Sequence, residues 1–142
     1  MVVASRTSVF GLAEVKRSLV AVGGGCFRLP RRIPYQVAME MILIGEPLSA
    51  EEMHRHGYVN RVVEPGCAKD IALELAEKIA GNAPLAVRAS KEIALRSVLE
   101  NWTDEIAWKE QWPIAMVAFE SEDQKEGLTA FAEKRSPKWQ GK

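Results

Sequence analysis

The chain has 142 residues, enough for one ordinary domain with a sizeable core. Its 19 lysines and arginines balance its 19 aspartates and glutamates, so net charge gives no indication of a nucleic acid or an anionic membrane as partner. No apolar run approaches the roughly 20 residues that cross a bilayer, and residues 1–10 lack the pattern of a secretory signal.

The first 66 residues predict short elements. Val2, Val3 and the run ending at Phe10 have strand character, and Gly11 stops that run. A helical pattern runs from Leu19 to Leu29, with three glycines inside it. We interpret those glycines as allowing close packing of the backbone, since they lack the spacing of a phosphate-binding loop.

A better-marked helix follows Pro34 and ends at Gly45. Ser49 and Glu52 have the spacing of a capping box and predict a helix over 50–56. A short strand is expected between Val59 and Val63.

From residue 67 onward the sequence predicts helices almost throughout. Ile71, Leu75 and Ile79 form one apolar stripe, and a helix from Pro84 to about Leu99 follows. A wide stripe with helical spacing comes next, expected to be core or subunit interface: Trp108, Trp112, Ala115 and Phe119. Ser121 starts the last helix, which runs toward Lys134, and the tail from Ser136 is expected to be loose.

Three groups of side chains bear on chemistry or location. Glu14 follows Phe10-Gly11-Leu12 at the mouth of an apolar segment, where partial desolvation of its carboxylate would suit a general acid or base. Arg28, Arg31 and Arg32 form a basic cluster that we expect to be solvated. Cys26 and Cys67 have neither metal-ligand nor redox spacing, which favours reduced thiols and a cytoplasmic location.

The spacing around Glu14 resembles the second catalytic-glutamate segment of the crotonase family, the enoyl-CoA hydratases and isomerases. Further segments follow in the family's order: Ala38-Met39-Glu40-Met41, Leu48-Ser49-Ala50, Gly57-Tyr58-Val59-Asn60-Arg61-Val62-Val63 and Glu126-Gly127 to Phe131-Ala132-Glu133-Lys134-Arg135. Ala13 departs from the proline common before this glutamate.

The resemblance implies an α/β crotonase-like fold, the ClpP/crotonase spiral, of which this chain is similar to the C-terminal half. Residues 1–66 are expected to form the closing turns of the spiral, and residues 67–142 a helical trimerisation region. The chain is therefore expected to be mostly α. The family's oxyanion-hole amides and its first catalytic glutamate match no residue of this sequence.

The resemblance also implies reversible hydration of a trans-2-enoyl-CoA to a 3-hydroxyacyl-CoA, with Glu14 as the catalytic residue. No metal or redox cofactor is expected, because the substrate is carried as a CoA thioester. Two alternatives stay open: a non-catalytic acyl-CoA-binding or oligomerisation module, and an enoyl-CoA isomerase. Whether the chain is an enzyme by itself is not decided by its sequence.

The terminal motif implies a second site. Phe131 and Lys134 match the family's positions that approach the CoA moiety, often that of a neighbouring subunit. The expected partners are therefore an acyl-CoA thioester and further copies of the chain, as a trimer or a dimer of trimers, with no nucleic acid and no membrane.

Overall fold

The computed structural model describes residues 1–142 and divides into two compact units, Met1–Glu74 and Leu75–Lys142. The strands are β1 (Val3–Ser5), β2 (Val9–Phe10), β3 (Leu48–Ser49) and β4 (Arg61–Val63). The helices are α1 (Gly25–Arg28), α2 (Tyr35–Ile44), α3 (Ala50–Arg55), α4 (Ala68–Ala80), α5 (Pro84–Leu99), α6 (Asp104–Phe119) and α7 (Glu122–Ala132). None of them combines the length and apolar composition needed to span a bilayer. The predominance of helix confirms the prediction, whereas the functional division at residues 66 and 67 stays a prediction.

Two small sheets organise the first unit. β1 pairs in parallel with β4, with Val3 opposite Arg61, and β2 pairs antiparallel with β3, with Phe10 opposite Leu48. The strands predicted near residues 1–10 and 59–63 are confirmed. Each sheet has only two strands, so the unit depends on helix packing for most of its core.

The core of the first unit lies where α2 and α3 pack behind the strands. Its fully buried side chains include Ala38 and Met41 on α2, Ala50 and Met53 on α3, and Val59 before β4. Ala38 and Met41 are three residues apart and therefore lie on one face of α2. The helix predicted between Pro34 and Gly45 is confirmed.

The capping box of α3 forms as its sequence predicts. Ser49 Oγ accepts the Glu52 N–H at 3.2 Å, and the Glu52 carboxylate accepts the Ser49 N–H at 2.8 Å. Hydrogen bonds from the Ser49 side chain and backbone hold the pKa of Glu52 below its usual range, because they favour the charged carboxylate. Both groups satisfy amides that the first helical turn leaves without partners.

The helix predicted from Leu19 to Leu29 is wrong over most of its length. Only α1, four residues long, is α-helical, and Leu29–Arg31 continue as a 3-10 turn. Gly24 precedes α1 with φ 107°, a backbone conformation outside the helical region. Since glycine inside a helix costs about 1 kcal/mol relative to alanine, three in a row favour turns over a continuous helix.

The second unit contains the helices that the sequence predicts most accurately. α5 begins at Pro84 and ends at Leu99, as expected. Thr103 and Ser121 cap α6 and α7, each side-chain oxygen accepting a backbone N–H three residues on. The aromatic stripe of α6 is exposed on the single chain: Trp108 at 66%, Trp112 at 53% and Phe119 at 56%. This excludes the core of the chain as the role of these three rings.

The expectation of a loose tail after Ser136 is wrong. The buried carboxylate of Asp123, 2% exposed, accepts the N–H of Gln140 at 2.6 Å and that of Gly141 at 2.8 Å. Trp139 donates its indole N–H to Gly81 O at 2.8 Å, and its ring lies over Gly127, where an added Cβ would meet it at 3.3 Å. The tail has no regular structure, yet it is anchored to the start of α7 and to the loop after α4.

Substituting Asp123→Ala should release this tail. Two backbone amides would lose their carboxylate, so we expect a loss of about 1–3 kcal/mol in the free energy of unfolding. Chemical denaturation measures the loss, and hydrogen exchange should show faster exchange at Gln140 and Gly141. The matched control is Glu122→Ala, an exposed acidic residue in the same helical turn, expected to change stability by less than about 0.5 kcal/mol. Equal effects of the two substitutions would contradict the anchoring role.

Candidate functional site

A pocket of about 540 Å³ opens in the first unit. Its wall is mostly apolar, with the backbone of residues 23–25 and two arginines completing it. The lining side chains are Val9, Phe10, Leu12, Arg28, Leu29, Arg32, Met41, Met53 and Tyr58. Phe10 and Tyr58 meet edge to face, with ring centroids 5.7 Å apart. This volume and composition fit a small, largely apolar ligand with a few polar contacts.

Close backbone approach at glycine shapes this pocket. A Cβ on Gly25 would lie 2.6 Å from Leu12 Cδ2, so Leu12 occupies space that only glycine leaves free. A Cβ on Gly11 would lie 3.1 Å from Pro47 Cβ, which brings the end of β2 against the segment before β3. The glycine run therefore allows close packing, as predicted, and its backbone also lines the pocket.

Glu14 lies next to the pocket, not in its wall. It is half-buried and begins a 3-10 turn, Glu14–Arg17, two residues beyond the pocket-lining Leu12. Its carboxylate has no hydrogen-bond or ion-pair partner in the chain, while its backbone oxygen accepts the N–H of Leu19 at 3.1 Å. A carboxylate without an internal partner is chemically available to a ligand or to another polypeptide.

The position of the Glu14 turn is set by the end of α2. Gly45 closes that helix with φ 72°, and a Cβ there would lie 3.0 Å from Val15 Cγ2. Lys16 reaches Glu46 at 3.9 Å, an exposed pair that adds little energy. Ser18 ends the turn at φ 55°, a left-handed conformation that is unfavourable for serine. The close contact at Gly45 and the left-handed backbone at Ser18 thus determine the position of the turn that begins at Glu14.

Phe131 and Lys134 lie together at the C-terminal end of α7. Lys134 donates its N–H to Phe131 O at 3.2 Å, and Arg135 donates to Ala130 O at 3.0 Å. These two bonds, with Lys134 at φ 55°, form a Schellman motif, in which the left-handed position is normally glycine. Lysine there costs about 1 kcal/mol, and Phe131 is 85% exposed. The end of α7 thus carries the unpaired ammonium of Lys134 and, three residues earlier, the exposed ring of Phe131.

An ion pair that sequence reasoning missed folds this segment back onto α7. Arg135 binds both oxygens of Glu126, at 2.6 and 2.9 Å, and Glu126 also accepts the Lys138 N–H at 2.8 Å. These bonds, the Arg135 bond above all, lower the pKa of Glu126 to about 2, and the same pairing raises the pKa of Arg135. The two residues are nine positions apart, so no helical spacing indicated their pairing. Both belong to the terminal segment that resembles the family's motif.

The model of the family described as "Enoyl-CoA hydratase/isomerase" matches residues 1–142. The chain belongs to this family. It is 43% identical over 140 residues to (E)-benzylidenesuccinyl-CoA hydratase of Thauera aromatica, covering 98% of this chain and 54% of that protein. It is 42% identical over 142 residues to an enoyl-CoA hydratase of Mycobacterium tuberculosis, covering 99% and 52%.

Solved structures agree with this membership. The crystal structure of an enoyl-CoA hydratase from Mycobacterium tuberculosis H37Rv superposes with a TM-score of 0.94 at 51% identity, covering all of this chain and 56% of that one. The crotonase-like fold is therefore confirmed. The chain spans about half the length of the family members it matches.

The expected site residues of this family member fall into two groups. Glu14 lies in the unit Met1–Glu74, whereas Phe131 and Lys134 lie together in the unit Leu75–Lys142. Arg28, Arg31 and Arg32 are exposed, as expected, but sequence reasoning missed that Arg28 and Arg32 also line the pocket. The i, i+4 spacing of Arg28 and Arg32 across the turn Leu29–Arg31 was the available signal.

Acid should weaken the segment that carries Lys134. The pKa of Glu126 is lowered from 4.5 to about 2 in the folded chain, so its contribution to stability is present above pH 4.5 and is lost as the pH falls toward 2. Glu126→Gln should lower the melting temperature at neutral pH and flatten its decline through this acid range.

Thermal denaturation of both proteins across the acid range checks this expectation. Glu122→Gln is the matched control, because Glu122 is an exposed acid on the same helix with only a surface pair to Lys125. If the melting temperatures of the wild type and of Glu126→Gln fell equally as the pH is lowered, the Glu126–Arg135 pair would contribute nothing to this pH dependence.

Proposed function

We propose that this chain takes part in the reversible hydration of a trans-2-enoyl-CoA thioester to a 3-hydroxyacyl-CoA. The carrying observation is the placement of Glu14 directly after the pocket-lining segment, in a chain that matches the enoyl-CoA hydratase/isomerase family over its whole length. An unpartnered, half-buried carboxylate beside an apolar pocket supports a role in proton transfer. The similar proteins include two hydratases and a dehydratase of CoA thioesters, which supports the same reaction class.

In the proposed reaction the oxygen of water bonds to the β-carbon as the carbon–carbon double bond breaks. The α-carbon receives a proton, which Glu14 delivers, and in the reverse direction Glu14 removes it. A second carboxylate accepts a proton from the attacking water, and backbone amides stabilise the thioester enolate. Neither the second carboxylate nor the amides are assigned to residues of this chain. Such a mechanism needs no metal or redox cofactor, since hydrogen bonds carry the developing charge.

Phe131 and Lys134 are proposed to contact the CoA moiety. The ammonium of Lys134 has no acidic partner in the chain and offers a point charge to a phosphate. Phe131 is exposed beside it and offers an aromatic face to the adenine. The strain of a left-handed lysine at the end of α7 supports a functional reason for lysine at this position.

Glu14→Gln tests the catalytic role. In a protein that also supplies the second carboxylate and the backbone amides, we expect turnover of crotonyl-CoA to fall by about 10² or more, while acyl-CoA affinity stays nearly constant. The neutral amide of glutamine cannot donate or accept the proton. Loss of the conjugated thioester absorbance measures turnover, and calorimetry measures affinity. Glu46→Gln, at an exposed acidic residue near the same turn, is the matched control. An unchanged rate in Glu14→Gln would remove Glu14 from the mechanism.

The same assay separates the hydratase from the second candidate, a non-catalytic acyl-CoA-binding or oligomerisation module. That alternative is favoured by the position of Glu14, which does not line the pocket. Retained acyl-CoA binding without turnover by the purified chain would support it. Presence of Glu14 favours the hydratase over an enoyl-CoA isomerase, because many isomerases of this family are expected to use a glutamate outside the matched half.

We also propose that the chain forms a homo-oligomer in the cytoplasm, as a trimer or a dimer of trimers, through the stripe Trp108, Trp112 and Phe119. These rings are more than half exposed on one chain, and contiguous apolar patches of this kind are rare on soluble monomers.

Light scattering should give a trimer for the wild type and a smaller species for Trp108→Ala combined with Trp112→Ala, because removing both rings deletes most of the apolar stripe. Leu73→Ala, at an exposed leucine of α4, is the control and should leave the mass unchanged. A monodisperse wild-type monomer at micromolar concentration would overturn this assembly.

A further inference from the structure

Two guanidinium groups border the pocket of the first unit without an acidic partner. Arg28 and Arg32 both line the pocket, and neither side chain takes part in an ion pair or hydrogen bond within the chain. The arginines at positions 6, 96 and 135, in contrast, each bind a carboxylate. Two cations that line one pocket without acidic partners make that pocket a favourable place for an anion.

Local geometry holds Arg28 at this wall. Its Cδ, Nε and Cζ atoms lie 3.2–3.3 Å from the point that a Cβ on Gly24 would occupy, so the side chain lies across the bare backbone of Gly24. Its Cζ is also 5.5 Å from the centroid of the Phe27 ring, at a distance typical of a cation–π contact. Arg32 follows four residues later, directly after the turn Leu29–Arg31, and lines the same pocket.

The remaining pocket wall specifies the rest of the ligand. Phe10, Leu12 and Met41 give it an apolar body, with Met53 and Tyr58 beside them. A ligand that contacts both the apolar side chains and the two arginines has a short apolar segment and one anionic group. Guanidinium groups are suited to a carboxylate, because their planar N–H fork matches its two oxygens.

We propose that Arg28 and Arg32 select acyl-CoA thioesters whose acyl chain ends in a carboxylate. This inference rests on the proposed function only in taking the pocket as the place of the acyl group. The acyl chain is the source of the anion because the guanidinium groups and the apolar side chains border one cavity. The phosphates of CoA are the competing source, and their binding would be independent of the acyl chain.

Binding of two saturated thioesters to the purified full chain tests the proposal. Succinyl-CoA and butyryl-CoA have four-carbon acyl chains and differ in the terminal carboxylate, and neither is consumed by hydration. Calorimetry should show succinyl-CoA binding at least about fivefold more tightly at low ionic strength, with the preference shrinking as salt is added. Free CoA serves as the phosphate-only ligand.

The double substitution Arg28→Gln with Arg32→Gln should abolish this preference and leave the affinity for butyryl-CoA unchanged. Arg31→Gln is the matched control, because Arg31 lies between the two arginines in sequence and does not line the pocket. The control should retain the preference, and circular dichroism with thermal denaturation confirms that each variant is folded.

Three results would overturn the proposal: equal affinity of the wild type for both thioesters, binding of neither, or an equal loss of affinity for succinyl-CoA, butyryl-CoA and free CoA in the double variant. The last result would assign the guanidinium groups to the phosphates of CoA. A preference for succinyl-CoA without hydration of crotonyl-CoA would support the inference and count against the proposed function, so the two failures are distinguishable.

Discussion

Close approach of the main chain at glycine determines the geometry of the first unit. Gly25 leaves room for Leu12, Gly11 for Pro47, and Gly45 for Val15. Each contact joins the segment after β2 to another part of the same unit, and Glu14 lies in that segment. A methyl group at Gly11 would meet the Pro47 backbone at 3.2 Å, and one at Gly25 or Gly45 would displace the side chain of Leu12 or Val15.

Both candidate sites also depend on a residue in the left-handed region of the backbone. Ser18 ends the turn that begins at Glu14, and Lys134 ends α7 next to Phe131. Glycine would adopt either conformation at lower cost. Strain of this kind persists only where the surrounding structure enforces it, and at Lys134 the Glu126–Arg135 pair does so by tying the following residues to the helix.

The distribution of paired and unpaired charge separates structural from functional candidates. Asp123 and Glu126 are engaged by backbone amides or by Arg135, and they organise the tail. Glu14, Lys134 and the two arginines of the pocket have no such partners. These four charges are therefore free to pair with a ligand or with a further polypeptide.

The sequence by itself determined the helices with strong end signals. Ser49 with Glu52, Pro84, and the stop at Gly45 act through neighbouring backbone groups, so a local pattern suffices to predict them. It also determined the family, since its motifs lie in order along the whole chain. Glu14, Phe131 and Lys134 were named as site residues from those motifs, and their roles remain proposals.

Only the tertiary structure decided the features that depend on distant contacts. The pattern from Leu19 to Leu29 favoured a helix, but Gly24 turns the chain and places Arg28 across its own backbone, at the pocket. No local pattern predicted that the tail is ordered, because the Asp123 carboxylate that binds it lies 17 residues before Gln140. Hydrophobic periodicity and capping act over one or two turns, whereas a pocket wall or an anchored tail exists only after segments far apart in sequence have packed.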